Sequence, residues 1–137
     1  MSMRFETEEH LKNEQEAITM FCDKFKAKFE KLGENDIDYL VTKGDRHVFV
    51  EIKGRNKHLK DAYPLPIAAR KVVKLSDKGQ GIIIWNCFDA IIYGNLDCIK
   101  GGWRKGGRPP RQGAVNDSEV MMYLDKQDGL VEMMKKL

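Results

Sequence analysis

The chain has 137 residues, 24 Lys+Arg against 21 Asp+Glu, 42% hydrophobic and 33% charged. That length suits one domain with a core of its own, and the composition is that of an ordinary globular protein. No apolar run approaches the roughly 18 residues of a membrane span, and the N-terminal MSMRFETEEHLKNE is too polar for a secretory signal, so no membrane partner is expected.

Cys22, Cys87 and Cys98 form no CxxC, and His10, His47 and His58 are not at zinc spacing from them. This argues against a disulfide framework and a structural zinc site, and predicts a cytoplasmic protein. Charge is uneven. Residues 1–38 carry ten acids and six bases, whereas residues 47–111 carry thirteen bases and five acids. A basic block attracts polyanions, nucleic acid first among them; the alternative is a solvated surface.

In chain order, residues 8–32 read as one amphipathic helix. Leu11, Ile18, Phe21, Phe25, Phe29 and Leu32 recur at steps of three and four, and Gly33 stands at its end. Residues 36–42 and 47–54 read as two strands joined by hairpin chemistry at Lys43-Gly44-Asp45-Arg46. Residues 55–65 read as a basic loop, and 66–76 as a short helix with Pro66 in its first turn. Residues 81–96 read as two more strands and 100–116, rich in Gly, Pro and Arg, as a loop. Residues 120–124 read as a last strand, and 127–137 as a terminal helix with Leu130, Met133, Met134 and Leu137 on one side. The expected class is α/β, a single domain over residues 1–137 with a central mixed sheet flanked by helices.

The hairpin carries chemistry. A two-residue turn at Gly44-Asp45 sets Thr42 opposite His47, Leu40 opposite Phe49, Asp38 opposite Glu51 and Asp36 opposite Lys53. Alternation then places Ile37, Tyr39, Val41, Val48, Val50 and Ile52 on a core face, and Asp38, Leu40, Phe49, Glu51 and Lys53 on the other. Two carboxylates directly opposite each other, with Cβ atoms about 5 Å apart, destabilise a sheet. A divalent cation would remove that penalty and use both as hard oxygen ligands. The tripeptide Glu51-Ile52-Lys53 is uninformative alone, because this composition yields about one Glu-x-Lys by chance. Solvent-facing carboxylates and a plain Lys53–Asp36 ion pair are the alternatives.

Glu14 is the one charged member of the helix stripe. A carboxylate there is costly unless paired, bound to a metal, or able to reach solvent at the helix start.

These stretches, Glu14 in LKNEQEAI, Asp38 in DIDYLV and Glu51-Ile52-Lys53 in VFVEIKGR, resemble the PD-(D/E)XK nuclease superfamily over about the first 55 residues. Ile37 stands at the position of the name-giving Pro, and the span from Leu32 to Asp36 is too short for the family's first strand. The resemblance implies a restriction-endonuclease-like core of helix, three strands, helix and strand. It also implies a Mg²⁺- or Mn²⁺-dependent nuclease acting on DNA, as in small resolvases and repair or phage nucleases. Asp38, Glu51 and the Ile52 carbonyl would hold the metal, with Glu14 assisting and Lys53 positioning the attacking water. By the same resemblance, Lys71 or Lys74 on the helix after the motif would face the site.

For DNA contacts, Arg55, Lys57 and Lys60 follow the motif strand directly, and Trp103, Arg104, Lys105, Arg108 and Arg111 form a cationic, Gly-rich segment around one aromatic. Such groups hold phosphates and stack a base without reading sequence, which suits structure-specific or low-specificity cleavage. The alternatives are an inactive nucleic-acid-binding module of the same fold, and an α/β partner-binding protein with incidental hairpin charges. A homodimer through the terminal helix is a further expectation.

Overall fold

The computed structural model describes residues 8–33, 37–79, 81–99, 102–106, 119–125 and 129–136. The chain forms α1 (Glu8–Phe25), β1 (Lys28–Lys31), β2 (Tyr39–Lys43), β3 (Arg46–Gly54), a 3-10 turn at Leu59–Asp61 and β4 (Leu65–Ala68). It continues through α2 (Ala69–Lys78), β5 (Gly81–Asn86), β6 (Ala90–Ile99), β7 (Gly102–Gly106), β8 (Glu119–Leu124) and β9 (Gly129–Lys135). Six strands make a mixed sheet in the order β1-β2-β3-β5-β6-β9, and β4-β8-β7 make a second sheet. The class is α/β, with α1 and α2 on the central sheet.

The hairpin has the expected register. Leu40 pairs with Phe49, Thr42 with His47 and Lys43 with Arg46. Gly44 takes φ 60°, the positive value that a two-residue hairpin loop asks of a glycine in its first position. β3 then runs parallel to β5, with α2 in the connection between them. Parallel central strands are covered on both faces, which explains why Gly81-Ile-Ile-Ile-Trp85 is apolar throughout. Ile84 packs with Ile18, Phe21, Tyr39 and Val50 beneath α1, while Ile83 and Trp85 pack with Leu65, Leu75 and Leu124 on the α2 side. The Trp85 indole Nε1 donates to the Pro66 carbonyl at 2.8 Å, so the largest core side chain has its polar atom satisfied.

Four expectations are corrected. The helix of residues 8–32 stops at Phe25. Lys26 takes a left-handed φ of 55°, the Ala27 amide donates to the Cys22 carbonyl at 2.9 Å, and the chain turns into β1. Phe29 and Leu32 continue the helical spacing by coincidence, since Phe29 lies opposite Val41 in β1. β1 is thus formed from the end of the anticipated helix, ahead of the short span from Leu32 to Asp36.

Pro66 does not open a helix; it lies in β4, opposite Tyr123 of β8. β4 is an edge strand, where a residue without an N–H is tolerated. The 100–116 segment is not wholly loop, because Gly102–Gly106 is β7.

Residues 129–135 are a strand, not a terminal helix. Leu130, Met133 and Met134 have helical spacing, but the open edge of β6 offers ladder hydrogen bonds, and Ile91 pairs with Met134 and Ile92 with Met133. The helix expected to carry a dimer surface is thus a strand, and Leu137 lies outside the described residues. Among the described residues, no helix is long and apolar enough to cross a membrane.

One contact fixes how α2 meets β5. A Cβ added at Gly81 would sit 3.0 Å from Leu75 Cδ2 and 3.1 Å from Leu75 Cβ, and Leu75 is fully buried. Gly81→Ala is expected to destabilise the fold by about 1–3 kcal/mol through overpacking. A urea midpoint unchanged from wild type would refute this account of the contact.

Candidate metal and nuclease centre

The motif carboxylates meet where β2 begins and β3 nears its end. Asp38 lies one residue before β2, with its carbonyl accepting from the Leu32 amide at 3.0 Å and its side chain Oδ2 accepting from the Ile52 amide at 2.8 Å. The Leu32 amide and the Ile52 amide of β3 therefore hold Asp38 from both sides. Ile37, expected on the same core face as Tyr39, instead packs in the α2-side cluster, because strand alternation starts only at Tyr39.

Glu51 is only 6% exposed, the one charged residue that is buried among the described residues. Its Oε2 is 2.9 Å from Lys71 Nζ, so Lys71 of α2 faces this carboxylate. Glu51 Oε1 is buried and has no hydrogen-bond partner among the described residues.

Glu14 reaches the same region from α1. Its Oε2 accepts from Lys31 Nζ at 2.9 Å and from the Tyr39 hydroxyl at 3.0 Å. The solvent alternative is therefore incomplete: this carboxylate is held by protein groups. The strand pattern marks Tyr39 only as a core residue, and the contact of its hydroxyl is invisible in a hydrophobic pattern.

These carboxylates act on one another. Burial, then the charge of Glu51, raise the Asp38 pKa from 3.8 to about 6; Glu14 adds to the rise, while the Ile52 hydrogen bond and Lys31 oppose it. The site is thus short of positive charge at Asp38 and short of a partner at Glu51 Oε1. A divalent cation would supply both, and the donor set of two carboxylates and a backbone carbonyl suits Mg²⁺, which keeps several waters. Among the described residues, no three or more His, Cys, Asp or Glu side chains are grouped to hold a metal, so Glu14 stands beside the pair, not in a closed cage with it.

Lys53 follows Glu51 on β3, half-buried and in register with Trp85. Its alternative partner Asp36 lies outside the described residues. The basic candidates divide. Arg55 is tied down, Nε donating to the Ala62 carbonyl at 2.9 Å and Nη2 to the Pro64 carbonyl at 3.3 Å. It therefore braces the loop after the motif strand.

Lys57 and Lys60 are exposed on that loop, and Lys74 is half-buried on α2. Trp103, Arg104 and Lys105 belong to β7, opposite Met122, Met121 and Val120. Arg108 and Arg111 lie outside the described residues.

Next to the carboxylates opens a groove of about 520 Å³, lined by Asn13, Glu14, Ile52, Asn56, Asn86 and Phe88 among others. No motif announced it, because its walls come from α1, the end of β3, the end of β5 and the C-terminal strand. No protein-family model, curated protein or solved structure matches the chain.

Proposed function

We propose that the protein is a Mg²⁺-dependent nuclease that hydrolyses DNA with structural or low sequence specificity, on a restriction-endonuclease-like core. The observation that carries this reading is the buried, partnerless Oε1 of Glu51 beside an Asp38 whose charged form is disfavoured. The topology supports it. α1, the antiparallel β1-β2-β3, α2, and β5 parallel to β3 follow the helix, three strands, helix, strand order that the sequence resemblance implies, with β4 interposed.

Asp38, Glu51 and the Ile52 carbonyl would hold the cation. Bound there, it would acidify a water and offset the charge that builds on the phosphate. Asp38 must lose its proton to serve, so Mg²⁺ affinity is expected to rise with pH through about 6, the value for the metal-free site. The Ile52 amide keeps the Asp38 carboxyl aimed at the strand end, and Lys71 keeps the Glu51 rotamer. Lys53, two residues after Glu51 on the same strand, would orient the attacking water and add electrostatic stabilisation where charge develops. Lys31 and Tyr39 hold Glu14 at the rim, where it would support the metal's water shell. Lys57 and Lys60 supply exposed phosphate contacts.

The test is cleavage of labelled single-stranded, duplex and four-way-junction DNA with Mg²⁺, with Mn²⁺ or with EDTA. Metal-dependent cutting is expected. DNA binding without cutting in any metal would favour the inactive module, and neither binding nor cutting would overturn both.

A further inference from the structure

The groove beside the carboxylates differs from them in chemistry. Its lining includes three neutral amides, Asn13, Asn56 and Asn86, and one aromatic, Phe88. The cation in its wall, Lys136, is engaged: Nζ is 3.2 Å from Glu16 Oε1 and donates to the Cys87 carbonyl at 2.8 Å. A phosphate entering here would find two carboxylates, Glu14 and Glu16, and little positive charge. A nucleobase would find amides and a ring. Its volume lies within the range of roughly 300–1,000 Å³ usual for small-ligand pockets.

Phe88 is 56% exposed, yet its backbone is braced. It sits in the β5–β6 turn, with its amide donating to the Lys57 carbonyl at 3.0 Å. The next residue, Asp89, accepts from the Leu59 amide at 2.8 Å through Oδ1 and from the Lys136 amide at 2.9 Å through its carbonyl. The His58 ring lies 5.2 Å from the Phe88 ring. A large apolar ring on a braced backbone at the surface does nothing for the core, but it offers a stacking surface. Behind it, Asn86 Nδ2 donates to the Asn13 carbonyl at 3.0 Å, which sets the amide so that Oδ1 is the acceptor; that Oδ1 is buried and has no partner among the described residues.

We infer that this groove receives the unstacked base of a nucleotide next to the scissile phosphate, so that the preferred substrate is DNA with unpaired nucleotides: a single strand, an overhang or a flap. The inference rests on the nuclease reading for the position of the phosphate, since the groove shares Glu14 and Ile52 with the carboxylate site. The base would stack on Phe88, with the amides of Asn13 and Asn56 in the same wall to meet its polar edge. A paired base would first have to leave its helix, whereas an unpaired one enters freely.

The experiment compares wild type, Phe88→Ala and Phe88→Trp on a fluorescein-labelled single-stranded oligonucleotide and on its blunt duplex. Binding is read by anisotropy in EDTA, and cutting is read separately in Mg²⁺. Wild type is expected to bind the single strand about tenfold better than the duplex, and Phe88→Ala to lose roughly that factor on the single strand alone. Phe88→Trp should retain it. Phe88 is largely exposed, so its removal opens no core cavity.

No single-strand preference in wild type, or an equal effect of Phe88→Ala on both DNAs, would overturn the inference. The EDTA arm separates the two readings. A Phe88-dependent preference in a protein that cuts nothing refutes the nuclease and keeps the groove. Metal-dependent cutting indifferent to Phe88 keeps the nuclease and refutes the groove.

Discussion

Glu51→Ala is expected to reduce metal-dependent DNA hydrolysis by about 10³-fold or more, the scale of losing a cation that stabilises transition-state charge. Glu51 is the buried member of the pair, with one oxygen on Lys71 and the other without a partner. Without it, only Asp38 and a carbonyl would be left to hold a cation, and Lys71 loses its counter-charge. Breaking a buried ion pair from one side also costs stability, on the order of 3 kcal/mol where nothing compensates. Here the removal also takes away a like charge that raises Asp38, so the net loss should be smaller.

Glu51→Gln separates the two effects, because it keeps the shape and the Lys71 approach while removing the charge. Both variants should be inactive, with Glu51→Gln the less destabilised. Steady-state cleavage and thermal melts of identically purified proteins measure this. Activity of folded Glu51→Gln within about tenfold of wild type would remove Glu51 from the centre.

Stability should fall as pH rises through the window from 4 to 6, and Mg²⁺ should restore it. The sign follows from Asp38. Its pKa is 3.8 when unperturbed and about 6 in the fold, so between these values the folded state holds the extra proton. Stability then drops with increasing pH across that window, levelling off above it. Each tenfold in proton affinity is about 1.4 kcal/mol, which places the loss on the order of 2–3 kcal/mol. Asp38→Asn cannot titrate and should lack this component, so the difference between the two proteins isolates it from all other carboxylates.

A cation bound to the ionised pair stabilises the native state by RT ln(1 + [L]/Kd), about 1.5–3 kcal/mol at ten- to a hundredfold saturation. Urea unfolding near pH 4.5 and 7.5, with Mg²⁺ or EDTA, reads every term. The same pH slope in Asp38→Asn would remove Asp38 as its source, and no gain from Mg²⁺ near pH 7.5 would show that the pair is not a cation site.

Much of the centre was legible because it is local. The Lys43-Gly44-Asp45-Arg46 turn determines the hairpin register, and the register brings Asp38 to Glu51 and Ile52 without any knowledge of the rest of the fold. The apolar run at residues 81–85 reads as a strand, and its central place in the sheet, with burial on both faces, comes from the structure.

Where non-local pairing competes with local spacing, the reading failed. Phe29 and Leu32 extend the α1 stripe in sequence, yet residues 28–31 pair with β2. Leu130, Met133 and Met134 have helical spacing, yet residues 129–135 complete the edge of β6. In both places the propensity difference is small, and the ladder offered by an open strand edge outweighs it.

The sequence by itself determined the motif hairpin, its carboxylates and the candidate lysines, because neighbours along a turn meet in any fold. Only the tertiary structure decided that Lys71 meets Glu51, that Tyr39 and Lys31 hold Glu14, and that Arg55 braces a loop. It alone assembled the groove, because Asn13, Asn56, Asn86 and Lys136 lie on four separate segments. Side chains that far apart in the chain share no period or spacing, so their meeting is decided by which strands pair and where the helices pack.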